Sequence, residues 1–248
     1  MTSEKRPKPT EADIDFMRSI EAEFKATSGL TDRSQFKIFY SPVWRAKIMV
    51  LGINPAGTPS TITPDGVRYL NGSRNKASSS ANYYDGGEND LVDCVWRENT
   101  GLLKLLMPIL QSHDCIRRNV VKTNLGFSRS ENTNNKAFIK TAKKEATPFL
   151  RRILDRVAPE LILLAGVRLP DFTERHCAKV VEIEERIEEQ SVHQTVIWPA
   201  CVRLLGGHSC IAVEVAHASQ FSWIYETHDV ASQIIGLMNN WQKQGSVA

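Results

Sequence analysis

Four short apolar runs divide the chain: Ile48 to Ile53, Val120 to Leu125, Leu161 to Ala165 and Ile211 to Ala216. Each is short, and all but Val120 to Leu125, where Lys122, Thr123 and Asn124 interrupt, are apolar at nearly every position, which is the pattern of a strand covered on both faces rather than of an amphipathic helix. Thr195 to Trp198 is a weaker fifth. Apolar residues recur every three or four positions in Gly101 to Gln111, Lys136 to Val157, Leu169 to Ala178 and Asp229 to Gln242, so helices separate most of the strands. Pro108 is expected to kink or shorten the first of these helices. The alternation predicts a three-layer α/β/α fold with a short, mainly parallel central sheet.

With 248 residues, about 42% of them apolar, the chain can bury one ordinary core. No internal repeat or linker divides it, and we read 1–248 as a single domain with an N-terminal helical extension at about 1–40. That extension opens with Thr10 as N-cap and Asp13 three residues on, followed by Ile14, Met17, Ile20 and Phe24 at helical spacing. The five cysteines form no CxxC pair and no zinc spacing, and the N-terminus has no apolar leader core. The longest fully apolar run, Leu161 to Ala165, is far too short to cross a bilayer. A reduced, cytoplasmic, soluble protein acting as a monomer is expected, with no membrane partner.

Thr58 to Asp90 is rich in Ser, Asn and Gly, shows neither period, and reads as a long loop. Loops of that length inside a compact domain are functional or disordered. This one leaves the first strand through GINPAGT, Gly52 to Thr58, at the carboxyl end of a parallel strand, where α/β sheets bind their ligands. An ordinary turn is the bland alternative, because Asn-Pro and Gly-Thr-Pro form turns readily. Gly52 and Gly57 have the outer spacing of a phosphate loop, but Thr58 and Pro59 stand where that loop needs Lys and Ser/Thr. GxGxxG is absent, and GHSCI at Gly207 to Ile211 lacks the final glycine of a nucleophile elbow.

GINPAG resembles the first motif of the uracil-DNA glycosylase superfamily, in particular its mismatch-specific and single-strand-selective branches, which carry GINPG or GMNPG after the first strand. VAHASQFS, Val215 to Ser222, is similar to the second motif, HPSPLS or HPS, which follows the last strand of the sheet. VVKTNLGFS resembles the middle segment, a strand ending in an asparagine, here Asn124, and LILLAG resembles the third strand. The ordered matches run from Ile48 to Ser222, about 70% of the chain.

The resemblance implies a DNA-repair enzyme that flips a deaminated base out of single- or double-stranded DNA and hydrolyses its N-glycosidic bond, without metal or cofactor. Asn54 would hold the attacking water, and an amide orients water without accepting its proton, so slow catalysis is implied. His217 would donate to the departing base, with Ser219 buttressing that loop. Gly52, Ile53 and Pro55 would shape the pocket. Asn124 would read the Watson–Crick edge with its paired donor and acceptor, the alternative being an asparagine that merely caps the strand. Phe221 stands where the family has its wedge leucine, or is a core residue. Tyr83 and Tyr84 are candidates for the aromatic that stacks on the base.

Ala56 and Ala218 replace a glycine and a proline of the two motifs, which leaves a non-catalytic nucleic-acid or base-binding protein of the same fold as the rival reading. A zinc base deaminase lacks its HxE and PCxxC pair here, and the iron-sulfur branches lack their cysteines. From Arg117 to Arg156 eleven Lys/Arg stand against three Asp/Glu, a net charge of +8, while Glu182 to Glu189 is acidic. Segregation of this kind fits one face meeting phosphate, or simply a solvated helix face.

Overall fold

The computed structural model of the chain describes residues 8–32, 35–53, 67–70, 73–76, 91–92, 97–129, 136–168, 181–186, 197–204 and 206–245. Its elements, in chain order, are α1 (Glu11–Ser28), β1 (Ile48–Gly52), β2 (Val67–Leu70), β3 (Ser73–Lys76), α2 (Arg97–Leu110), α3 (His113–Asn119), β4 (Val120–Asn124), α4 (Lys136–Val157), β5 (Leu161–Ala165), β6 (Val181–Arg186), β7 (Trp198–Leu204), β8 (Ser209–Val215), α5 (Ala218–Thr227) and α6 (Val230–Gly245).

The four expected apolar runs stand side by side as β4, β1, β5 and β8 in a six-stranded sheet of the order β4-β1-β5-β8-β7-β6. The first four are parallel to their neighbours, and β7 and β6 extend the sheet antiparallel. Every residue of β1, β4 and β5 is buried, because helices cover both faces. Side-chain alternation divides the core in two. Met49, Leu51, Val121, Ile162 and Leu164 pack toward α1 and α4. Ile48, Val50, Val120, Leu163, Val213 and Val215 pack toward α2, α3, α5 and α6. This is the three-layer arrangement expected from the sequence.

Helix α1 starts as its capping box predicts: the Thr10 hydroxyl accepts from the Asp13 N–H at 3.2 Å, and the Asp13 carboxylate accepts from the Thr10 N–H at 2.9 Å. Gly29, at φ +71°, ends the helix in the left-handed conformation that suits glycine. Met17, Ile20 and Phe24 are fully buried, and the Phe24 ring meets Phe36, Phe127 and Phe149 at centroid separations of 5.4, 5.4 and 5.7 Å. The first helix is thereby part of the core.

Strand β4 lies at the sheet's edge, and residues 35–41 run along its outer side. The Ser41 hydroxyl accepts from the Lys122 N–H at 2.9 Å, the Thr123 hydroxyl donates to the Ile38 carbonyl at 2.7 Å, and the Lys37 N–H donates to the Phe127 carbonyl at 2.9 Å. The edge is thus closed by hydroxyls and backbone together.

Three expectations change. The segment 58–90, read as loop throughout, contains the antiparallel ribbon β2–β3, with Val67 opposite Lys76 and Leu70 opposite Ser73. The weak strand at 195–198 meets the observed β7 only at Trp198; β7 runs on to Leu204 because both of its sides are paired. Helix α2 runs from Arg97 to Leu110, beginning before the expected Gly101 and ending one residue before the expected Gln111, with Pro108 in its last turn, where the missing N–H removes the bond back to the Lys104 carbonyl. The expected helix Leu169 to Ala178 lies outside the described residues.

Candidate functional site

In-register pairing brings the carboxyl ends of the parallel strands into one row: Gly52 of β1 lies opposite Asn124 of β4, and Ala165 of β5 lies opposite Val215 of β8. Pairing of β1 with β4 continues past the strands, for the Leu125 N–H donates to the Gly52 carbonyl and the Gly126 N–H to the Ile53 carbonyl, both at 2.9 Å. Gly52 and Ile53, which open the first motif, and the segment that ends at Asn124 are therefore one structural unit.

Asn124 is 4% exposed and its side chain crosses toward β1. Its Nδ2 donates to the Tyr40 hydroxyl at 2.9 Å. Its Oδ1 lies against Gly52, where a Cβ would come within 2.3 Å of it. Glycine is needed there for space, not for an unusual φ. Any larger residue at 52 would displace the asparagine.

His217, which follows β8 three strands along the sheet from β4, occupies the same kind of seat. Gly166, directly after β5, has φ +70°, and a Cβ on it would fall 2.6 Å from His217 Cδ2. The Gly166 N–H donates to the Val215 carbonyl at 3.0 Å, so this turn is bonded to the end of β8. On the other side the buried Tyr225 hydroxyl donates to the Ala216 carbonyl, which ties helix α5 to the segment just before the histidine. Between Asn124 and His217 lie three inter-strand steps, roughly 14 Å of backbone separation at ~4.8 Å each. An amide offering donor and acceptor and an imidazole able to donate flank that row of strand ends.

The second motif is more regular than the loop expected from the sequence. The Gln220 N–H donates to the His217 carbonyl at 3.0 Å and α5 begins at Ala218, so Ser219 and Phe221 stand in the first turns of a helix. Ala218 is fully buried against β8, so this start is fixed by packing. The side chains of Ser219 and Phe221, and all of Asn54, Pro55, Tyr83 and Tyr84, lie outside the described residues. Gly52, Ile53, Asn124 and His217 are the predicted site residues that the structure brings to the row of strand ends.

A buried polar group behind Asn124 had no sequence expectation. Lys37 and Lys122 are each 4% exposed, and their ammonium nitrogens stand 4.7 and 5.2 Å from the centroid of the Tyr40 ring. Lys122 Nζ donates to Asn99 Oδ1 of α2 at 2.8 Å. The readable signal was a lysine in the middle of an otherwise buried strand, Val120–Asn124.

The cations of the 117–156 segment are dispersed by the fold. Arg152 pairs with Glu23 at 2.6 Å, Arg156 with Asp13 at 2.7 Å and Arg117 with Asp114 at 2.7 Å, and Lys143 is 6% exposed. Lys140 and Lys144 on α4 and Arg118 at the end of α3 remain exposed. Burial opposes ionisation of Asp13, but hydrogen bonds from Thr10 and Arg156 outweigh it and hold this carboxyl below the ordinary range. The Arg152 hydrogen bond, with help from Ser19, does the same for Glu23.

Among the described residues no group of three His, Cys, Asp or Glu side chains is arranged to hold a metal ion, and no helix is long and apolar enough to cross a membrane. No protein-family model matches the chain, and no curated protein matches it in sequence.

Proposed function

We propose that this chain is a DNA N-glycosylase that removes uracil or another deaminated base. One observation carries the reading: Asn124 and His217, singled out by motif resemblance, stand at the carboxyl ends of strands in one parallel array, each against a glycine that admits it. The two segments that carry Asn124 and His217 stand 93 positions apart in the chain (217 − 124), and a chance likeness would not require both to fall at carboxyl ends of strands in the same sheet.

The reaction follows from residue chemistry. A water held by the Asn54 amide adds to C1′ of the flipped nucleotide as the bond from C1′ to the base nitrogen breaks. The bonding electrons leave with the base, negative charge grows on its carbonyl oxygens, and the departed base anion finally takes up the proton that the added water loses through solvent. His217 donates a hydrogen bond to that charge. Asn124 offers an acceptor to a base N–H and a donor to the neighbouring carbonyl, a pair that uracil and hypoxanthine both present. DNA as the partner, and a reducing cytoplasm as the setting, belong to this proposal.

Ala56 and Ala218, which depart from the motifs, favour a second reading in which the same fold binds nucleic acid or a base without cleaving it. One assay separates the two. Labelled oligonucleotides bearing uracil, hypoxanthine or xanthine, single-stranded and mispaired, are incubated with the protein and treated with alkali, which breaks the strand at abasic sites. Strand breaks that disappear with Asn54→Ala and His217→Ala support the glycosylase. Binding to the same panel without any base release overturns it in favour of the binder.

A further inference from the structure

From the hydrogen bonds that helix α5 sends back to the end of β8, we infer that Tyr225 is a positioning residue that aims the His217 imidazole. This inference rests on the proposed role of His217 at the departing base.

A peptide unit is planar, so the direction of a residue's Cβ is set by the two peptide planes that meet at its Cα. At His217 the first plane holds the Ala216 carbonyl together with the His217 N–H, and the second holds the His217 carbonyl. Helix α5 fixes both. The Tyr225 hydroxyl donates to the Ala216 carbonyl, and the Gln220 N–H donates to the His217 carbonyl at 3.0 Å. A carbonyl oxygen can only accept, so the Tyr225 proton is committed to this bond.

The tyrosine is a stiff strut. It is 3% exposed and packs in the same core cluster as Val215, Ala218 and Val230. A ring so enclosed presents its hydroxyl at one place. It stands nine positions beyond the carbonyl that it holds, and three beyond VAHASQFS, the segment that carries the resemblance.

Gly166 restrains the imidazole from the other side, where an added Cβ would fall 2.6 Å from His217 Cδ2 and 2.8 Å from its Cβ. The ring therefore has no room to swing toward Gly166. Once the Ala216 plane is released it can only turn away. A donor to developing charge works within about 0.5 Å and 10–20° of its productive place, so a small rotation of that plane takes His217 out of range.

The test is Tyr225→Phe, which removes one oxygen and leaves the ring and its packing. Two readouts are taken on the full chain. The first is the imidazole carbon–proton signals of 13C-labelled protein, those of His217 being identified by their loss in His217→Ala. They should shift, while the signals of His208, in the turn between β7 and β8 with its Nε2 2.9 Å from the Pro159 carbonyl, stay in place. The second is base release, whose kcat should fall roughly 3- to 10-fold, the worth of one hydrogen bond, with oligonucleotide affinity unchanged.

Unmoved His217 signals overturn the inference, and so do signals that move equally at His217 and His208, which mark a general loosening of the fold. A His217 shift with unchanged kcat overturns the functional part. Should Tyr225→Phe not fold, Gln220→Pro takes its place; it deletes the N–H that holds the second plane, in a first helical turn that tolerates proline, and the same shift confined to His217 is expected. A wild type that releases no base from any substrate refutes the glycosylase reading, and the two histidines alone then decide the positioning.

Discussion

Gly52→Ala tests the seat of Asn124 directly. The new Cβ would lie 2.3 Å from Asn124 Oδ1 and 3.5 Å from its Cγ, so the amide must move. It cannot move without leaving Tyr40, 2.9 Å away, and at 4% exposure water does not replace that bond. Overpacking of this kind costs about 1 to 3 kcal/mol. A buried donor left unsatisfied costs about 1 to 3 kcal/mol more. Replacing glycine stiffens the unfolded chain and returns about 0.4 to 1 kcal/mol. Because one side-chain movement is shared by both costs, the net loss should be about 2 to 4 kcal/mol. Urea unfolding with a slope of roughly 2 kcal/mol per molar would show the midpoint lowered by about 1 to 2 M. The decisive comparison is a double-mutant cycle. In an Asn124→Ala background the obstacle is gone, and Gly52→Ala should cost under about 1 kcal/mol, a coupling of at least ~1 kcal/mol. Additive losses, equal within about 0.5 kcal/mol, would refute the contact as the reason for glycine at this position.

Four further outcomes are expected. Gly166→Ala adds a left-handed backbone penalty of about 1 to 2 kcal/mol to a clash with His217, so it should destabilise more than alanine at the open Gly236, as thermal unfolding would show. Asn54→Ala and His217→Ala should each lower base release by about 100- to 1000-fold with oligonucleotide affinity unchanged, since both groups act in the transition state; weakened binding with an unchanged rate would reverse their roles. Lys140→Ala with Lys144→Ala, the exposed pair on α4, should reduce the salt dependence of DNA affinity by about one to two units of slope, whereas a slope equal to wild type would remove α4 from the interface. Asp13 and Glu23 have folded values below the ordinary carboxylate range, so their stabilisation is present above about pH 4 and lost as pH falls through those lower values. The stability gap between wild type and Asp13→Asn should therefore be widest near neutrality and close in acid, and a gap independent of pH would show that the Thr10 cap and Arg156 pair do not act through charge.

The strands of the parallel array were legible because each is largely buried and so rich in apolar residues; Asn124 and His217 were singled out by motif resemblance, and the fold carries them to the ends of β4 and β8. Helix α1 was legible from Thr10 and Asp13, a local signal that needs no tertiary context. Helix α5 was hidden because it is held by burial of Ala218 at its start and Tyr225 further along rather than by a sequence-readable cap. Strand β7 was obscured by Pro199, which normally argues against a position between two paired neighbours. Tyr40, Lys37 and Lys122 were invisible for a different reason. Lysine is solvated by default, and only the edge-covering path of residues 35–41 turns two lysines inward onto one ring. The charge count from 117 to 156 misled in the same way, because several of those cations are committed to the acids of α1 or to the interior.

The covering of β4 by residues 35–41 also has a history in time. Ser41 and Lys122 are 81 positions apart, and Thr123 and Ile38 are 85 apart. At a synthesis rate of roughly 5 to 20 residues per second, the covering segment emerges from the ribosome about 4 to 16 s before the strand it will cover. Through that interval its phenylalanines, Phe36 and Phe39, both fully buried in the finished fold, have no sheet to lie on. Helix α1, already complete and carrying Phe24 against Phe36, is the nearest shelter that the nascent chain can offer them.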